Sequence, residues 1–140
     1  RGKKKAISGL EKAKLIKEGE QFSIVTYGLG VHWAIDYLDK HPGLSADLLD
    51  LRSLQPWDKE AVETSVKKTG RVLILHEDTL TSGFGGEISA HIAEHCFKYL
   101  DAPIIRCASL DTAIPTSKVL EENFLAKSHL DQDIKRLLSF

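Results

Sequence analysis

The chain of 140 residues contains no methionine, only two cysteines, four prolines and ten glycines, and its five Phe, three Tyr and two Trp make up 7% of it. Two cysteines give neither a disulfide framework nor a four-cysteine zinc site. Cys96 and Cys107 fall in an apolar helix and an apolar strand without metal-like spacing, and they are expected to be reduced and buried. The longest apolar runs, such as Val72 to Leu75, fall far short of the ~20 residues that span a bilayer, so no membrane partner is expected. Charge is also short of a clear sign. Residues 1–20 hold seven Lys/Arg against three Glu, and the remaining 120 hold twelve against seventeen. With no basic stripe and few rings to stack bases, no nucleic acid partner is expected. The absent methionine and the basic start Arg1-Gly-Lys-Lys-Lys5 read as a fragment whose first 11 residues are a solvated linker from an upstream domain.

What is present is 42% hydrophobic and 28% charged residues, the balance of a globular chain long enough for one core and too short for two ordinary domains. Residues 20–27 read as a buried strand, closed by Gly28-Leu-Gly30. Val31, Ala34, Ile35 and Leu38 follow at helical spacing until His41-Pro42-Gly43 stops them. Residues 46–51 read as a second strand, and Asp58 caps a helix that ends at Thr69-Gly70. The run 72–77 is a third strand, 87–99 a helix after a glycine-rich turn, and 104–108 a fourth strand. Short helices are expected near 118–124 and over 130–138. This alternation predicts a three-layer α/β/α domain with a mostly parallel sheet, over residues 12–140.

Four constellations could carry chemistry. Gly28-Leu-Gly30 stands where a dinucleotide site places its tight turn, but the third glycine of that motif is replaced by Trp33, so a plain strand-to-helix turn is favoured. Ser82-Gly-Phe-Gly-Gly86-Glu87 lacks the Lys-Ser/Thr ending of a phosphate loop. Gly83, Gly85 and Gly86 are expected to allow positive φ and close backbone contact, and with Glu87 to form a structural turn or a subunit interface. His91-Ile-Ala-Glu-His95 puts two imidazoles one turn apart, but Glu87, His91, Glu94, His95 and Lys98 read as one solvated face opposite Ile88 and Ile92, and no metal site is assigned. His76-Glu77-Asp78, at the end of the most buried strand, has no nucleophile or phosphate cradle beside it and is read as an interface rather than a catalytic centre.

Taken in order, Tyr27-Gly28, Leu49-Asp-Leu-Arg-Ser-Leu-Gln-Pro-Trp-Asp58, Ser65-Val-Lys-Lys-Thr-Gly-Arg71, Gly83-Phe-Gly-Gly-Glu87-Ile88, Leu100-Asp-Ala-Pro103 and Asp111-Thr-Ala-Ile-Pro115 form a recognisable series. Together they resemble the C-terminal domain of the beta chain of the thiamine-diphosphate-dependent decarboxylating component of 2-oxoacid dehydrogenase complexes, which has the transketolase C-terminal fold. His76-Glu77 and Leu80-Thr-Ser-Gly-Phe84 look like the branched-chain (2-oxoisovalerate) type. Leu100-Asp-Ala-Pro103 and Leu120-Glu-Glu-Asn123 resemble the pyruvate type. The branched-chain type is favoured, with a pyruvate-type domain or a stand-alone adaptor of the same fold as alternatives. Thr116 departs from the family's usual Pro-aromatic ending after Pro115.

The resemblance implies that thiamine diphosphate, with magnesium, is bound by an alpha-type domain and the N-terminal part of the beta chain, leaving no catalytic or cofactor residue in this stretch. It implies pairing with an alpha-type subunit and a second beta copy, and docking of the subunit-binding domain of the lipoyl acyltransferase. Asp101 and a carboxylate on Phe140 would face basic side chains of that domain, with Arg106 orienting Asp101. The location implied is the cytoplasm for a bacterial protein and the mitochondrial matrix for a eukaryotic one.

Overall fold

The computed structural model describes residues 12–111 and 125–140. One sheet contains β1 (Lys14–Lys17), β2 (Phe22–Thr26), β3 (Ala46–Asp50), β4 (Val72–Thr79) and β5 (Ile105–Ser109), in the order β1-β3-β2-β4-β5. β2 pairs in parallel with β3 and β4, and β4 with β5, whereas β1 runs antiparallel to β3. Among the described residues four α-helices connect or cover the strands: α1 (Leu29–Lys40), α2 (Lys59–Thr69), α3 (Phe84–Cys96) and α4 (Leu130–Leu138).

β2 is buried along its whole length and β4 opens on the unbroken apolar run Val72–Leu75, because both faces of these strands are covered. On one face Phe22, Ile24, Leu48, Leu73, Leu75 and Ile105 pack against α1 and α4 through Ala34, Leu38, Ile134 and Leu137. On the other, Val25, Leu49 and Ile74 meet Val62 and Val66 of α2 and Ile88 and Ile92 of α3. The three-layer architecture is therefore the one the strand-helix alternation predicts. Cys107 lies in the first core and Cys96 in the second, both buried and unpaired, and burial pushes both thiols up.

Helix ends follow local chemistry. The Asp58 side chain accepts the Ala61 N–H at 3.1 Å, and Gly70 closes α2 in the left-handed conformation at φ 74°. Gly28, at φ 58° and ψ −132°, adopts a backbone that side chains disfavour, and a Cβ on Gly30 would lie 2.1 Å from Thr26 Oγ1. That close approach is what Gly28-Leu-Gly30 provides.

Two elements differ from expectation. β1 was not expected: Lys-Leu-Ile-Lys is too short to show a period, and its lysines suit an exposed sheet edge. α3 begins at Phe84, not Glu87, because Gly85 and Gly86 are already helical, and it gives way after Cys96 to a 3₁₀ turn over Phe97–Tyr99. Residues 1–11, the helix expected near 118–124, and the Pro115-Thr116 departure lie outside the described residues.

Candidate functional site

The parallel strands give the domain two unlike poles, and the residues singled out in the sequence divide between them. At the carboxyl ends of the strands stands the glycine turn. His76, the last fully buried residue of β4, accepts the Gly85 N–H at Nε2, 3.1 Å away, while its Nδ1 lies 3.2 Å from the Asp78 carbonyl. An imidazole that accepts at Nε2 and donates at Nδ1 is neutral, a tautomer assigned from its partners. Burial holds its pKa below the usual histidine value, against the opposing pull of Asp78.

The glycines matter through proximity. A Cβ on Gly85 would stand 2.4 Å from His76 Nε2, and one on Gly83 would stand 2.2 Å from the Thr79 carbonyl oxygen. Gly86 has room, its nearest neighbour being Arg106 Nη1 at 3.6 Å. None of the three has a positive φ, which corrects that expectation; Ser82 carries the positive φ of this turn, at 62°. Glu87 is exposed in the first turn of α3, where a carboxylate suits the helix dipole. His76 is 0% exposed, so no partner reaches it in this chain and it supports the turn from behind.

Tyr27, which the sequence reading used only as part of a motif, closes the crevice where the chain reverses its direction across the sheet. Its ring lies over His76 at 6.0 Å and edge-on to Phe84 at 6.5 Å, and its hydroxyl donates to Asp78 at 3.2 Å. Burial and the Asp78 carboxylate push the phenol pKa up. Ligands of open α/β sheets sit at such a reversal, and here two half-buried aromatic side chains, Tyr27 and Phe84, line it.

His91 does not share the solvated face expected of it. It turns towards α2, where its Nε2 lies 2.8 Å from Glu63 Oε2 and its ring meets Trp57 edge-on at 5.1 Å. The hydrogen bond with His91 holds the Glu63 carboxyl below the usual carboxylate range. His91 thus braces α3 to α2. Among the described residues no group of three His, Cys, Asp or Glu side chains is placed to hold a metal ion. No helix among them is long and apolar enough to cross a membrane.

The opposite pole, at the amino ends of the strands, gathers Asp101 and Phe140. Both are held by one turn, Gly70-Arg71, at the start of β4. The Asp101 N–H donates to the Gly70 carbonyl at 2.7 Å, and Arg71 Nη2 donates to the Phe140 main-chain oxygen at 2.7 Å. The αL conformation of Gly70 also makes room: a Cβ there would lie 2.3 Å from Asp101 Oδ2. Phe97, Tyr99 and Phe140 are exposed at 75%, 48% and 54%, and Lys67 Nζ lies 5.4 Å from the Tyr99 ring centre. Asp101 is exposed and has no ion pair among the described residues.

Arg106 is not part of this group. Its Nη1 donates to the Leu80 carbonyl at 3.0 Å, beside Gly86 at the carboxyl pole. β5 begins only at Ile105, and the Arg106 side chain runs away from Asp101 to the Leu80 carbonyl. The expected orientation of Asp101 by Arg106 is therefore corrected; Gly70 and Arg71 organise that end. The signal for this was the Thr-Gly-Arg71 stop itself, which sequence reasoning used only to end a helix.

Beneath the turn lies a buried polar chain. Asp47, 2% exposed, accepts from Gly19 N–H at 2.9 Å, Ser65 Oγ at 2.7 Å and Lys68 Nζ at 2.7 Å, and the bond to Asp47 raises the Lys68 pKa. Ser23 Oγ lies 2.7 Å from both Ser65 and Thr69, and Thr69 Oγ1 donates to the Arg71 carbonyl at 3.1 Å. The Ser23 N–H donates to the same carbonyl at 2.8 Å.

Comparison with known proteins places this geometry. Residues 11–129 match the family described as the C-terminal domain of transketolase. The 2-oxoisovalerate dehydrogenase subunit beta, mitochondrial, of Dictyostelium discoideum is 41% identical over 136 residues, covering 94% of this chain and 36% of that protein. The pyruvate dehydrogenase E1 component subunit beta of Porphyra purpurea is 38% identical, covering 86% of this chain and 37% of that protein. A solved split-gene transketolase, an inactive beta4 tetramer, superposes with a TM-score of 0.72 at 22% identity, over 93% of this chain and 42% of that one. The chain spans about a third of the length of the curated relatives it matches.

Proposed function

The chain belongs to the transketolase C-terminal domain family, in the branch of 2-oxoacid dehydrogenase beta subunits, and from that premise we propose that it is the assembly domain of such an enzyme. The whole enzyme oxidatively decarboxylates a 2-oxoacid and passes the acyl group to a lipoyl group. Thiamine diphosphate with magnesium supplies that chemistry when bound elsewhere in the protein. Among the described residues no three His, Cys, Asp or Glu side chains are placed to hold the metal ion of such a group, and Tyr27 and Phe84 stand edge-on to each other at the chain reversal. No step of the reaction is assigned to this domain.

Its own work is to hold partners. The amino pole docks the subunit-binding domain of the lipoyl acyltransferase, and the carboxyl pole, with exposed Glu87 beside Gly83, Gly85 and Gly86, pairs with the alpha-type subunit or a second beta copy. The observation that carries the docking role is the convergence of Asp101 and Phe140 on the Gly70-Arg71 turn, with the Asp101 carboxylate exposed and without an ion pair among the described residues. An open carboxylate beside exposed aromatic rings suits a basic partner, steering its approach and fixing its orientation. The protein is cytoplasmic in a bacterium and in the mitochondrial matrix in a eukaryote.

The substrate favoured is a branched-chain 2-oxoacid, supported by the 41% identity to a 2-oxoisovalerate dehydrogenase subunit. The pyruvate-type reading is supported by Leu100-Asp-Ala-Pro103 and by the 38% relative. A stand-alone adaptor remains the reading of another class. Turnover of the full-length, assembled protein on 2-oxoisovalerate and on pyruvate separates all three. Preference for the branched acid supports the first, preference for pyruvate the second, and absence of turnover on either the third. In the assembled enzyme Asp101→Ala is expected to weaken acyltransferase binding in a salt-sensitive way, and unchanged binding would sink the docking role.

A further inference from the structure

We propose that Arg71 is a positioning residue of the amino-pole docking face, fixing the Phe140 main chain in register with Asp101 so that one basic partner meets both. The inference rests on the docking role given above and adds to it a residue that acts through another. α4 ends at Leu138, and Ser139 still closes on it through its N–H to the Arg136 carbonyl at 3.2 Å. Phe140 is past that reach. Among the described residues its main chain is held by one hydrogen bond, from Arg71 Nη2.

The base of the Arg71 side chain is rigid, because its carbonyl accepts both the Ser23 N–H and Thr69 Oγ1, and these tie it to the buried chain that ends on Asp47. The preceding residue, Gly70, holds Asp101. A single two-residue turn therefore sets the distance between the two groups offered to a partner. Among the described residues the Arg71 Nε is buried with no hydrogen-bond partner. A buried donor left unpaired calls for an explanation, and presenting Phe140 supplies one. Releasing one residue from a fixed backbone conformation changes an equilibrium constant by roughly tenfold.

Sign separates this role from plain electrostatics. Removing a cation from a face that binds a basic partner should tighten binding if charge alone matters. Removing a positioning residue should weaken it. The test uses the full-length enzyme with its alpha-type subunit, titrated calorimetrically with the isolated subunit-binding domain of the acyltransferase at several salt concentrations. Arg71→Met is expected to weaken binding about tenfold at each salt concentration, with decarboxylation of the 2-oxoacid, followed with an artificial electron acceptor, unchanged. Arg71→Lys, whose ammonium can still donate to Phe140, is expected to recover most of the affinity. Asp101→Asn is expected to weaken binding and flatten its salt dependence. Tighter or unchanged binding by Arg71→Met overturns the positioning role while leaving docking intact. Unchanged affinity and salt slope in Asp101→Asn overturn docking itself, whatever Arg71 does. Should Arg71→Met fail to assemble, Arg71→Gln, whose amide is too short to reach Phe140, carries the same expectations.

Discussion

His76 Nε2 accepts the backbone N–H of Gly85, so a fully buried imidazole satisfies the first turn of α3 and must stay neutral to do so. Burial lowers its folded pKa below the unfolded value of 6.5. A depressed folded pKa means that the unfolded chain takes up the proton first. The stability it supports is therefore complete above about pH 6.5 and is lost as pH falls towards the folded pKa. Thermal unfolding between about pH 5 and pH 8 should show this fall, and His76→Gln should be less stable at neutral pH with a shallower acid slope. Ring proton shifts of His76 that titrate at or above the ordinary histidine value would contradict it.

Gly85 and Gly86 are neighbours with opposite expected tolerance. A Cβ at Gly85 meets the His76 ring at 2.4 Å, whereas one at Gly86 finds ordinary contact at 3.6 Å. Gly85→Ala should cost about 1–3 kcal/mol through overpacking, and Gly86→Ala should be neutral or slightly stabilising because it raises helix propensity. Chemical denaturation of the two variants, side by side, checks the contrast.

Asp47 should be among the most sensitive buried polar positions. Asp47→Ala leaves the Gly19 N–H and the Ser65 hydroxyl without their acceptor, for a loss of about 2–4 kcal/mol. Denaturant midpoints measure it. A variant within half a kcal/mol of the native chain would mean that water replaces the carboxylate.

Glu63 has a lowered folded pKa through His91, so its stabilisation is present above the ordinary carboxylate range and is lost as pH falls through the folded pKa. Glu63→Gln should lose stability at neutral pH and show less of the acid-induced decline. Equal acid slopes in the two proteins, read by thermal unfolding, would remove Glu63 from that account.

The 140-residue chain is expected to bind no thiamine diphosphate, with or without magnesium. Isothermal calorimetry checks this, and a saturable signal at ordinary cofactor affinity would return part of the chemistry to this domain.

The layers of the fold were legible because buried parallel strands announce themselves as unbroken apolar runs such as Val72 to Leu75, bounded by Gly70 and by polar residues. β1 was not, since four residues with a lysine at each end carry no period and gain their strand state only from β3. In the candidate sites, residue choice travelled better than residue pairing. Asp101 and Phe140 are bonded to neighbouring residues of one turn, Gly70 and Arg71, but nothing in local spacing says that Arg71, sixty-nine residues before Phe140, is what holds it. Arg106 is close to Asp101 along the chain, yet its side chain runs to the Leu80 carbonyl at the other pole. His91 matched a solvated stripe on its own helix, and only the packing of α2 and Trp57 against it reveals the inward face.

Among the described strands β1 is the one that runs against the others, and this sets where the two ends of the described chain attach. Its first residue, Lys14, pairs with Asp50 at the carboxyl end of β3, and Ala13 is tied there by its N–H to Asp58. Phe140 is anchored at the other pole by Arg71. Chain joined ahead of Ala13 and a partner held at Phe140 therefore attach at opposite poles, the first through a strand and the second through α4 and one arginine side chain. A pull between them tests that single bond and the apolar packing of α4 before it loads the ladders, so the weak link of the domain lies at its partner-facing end.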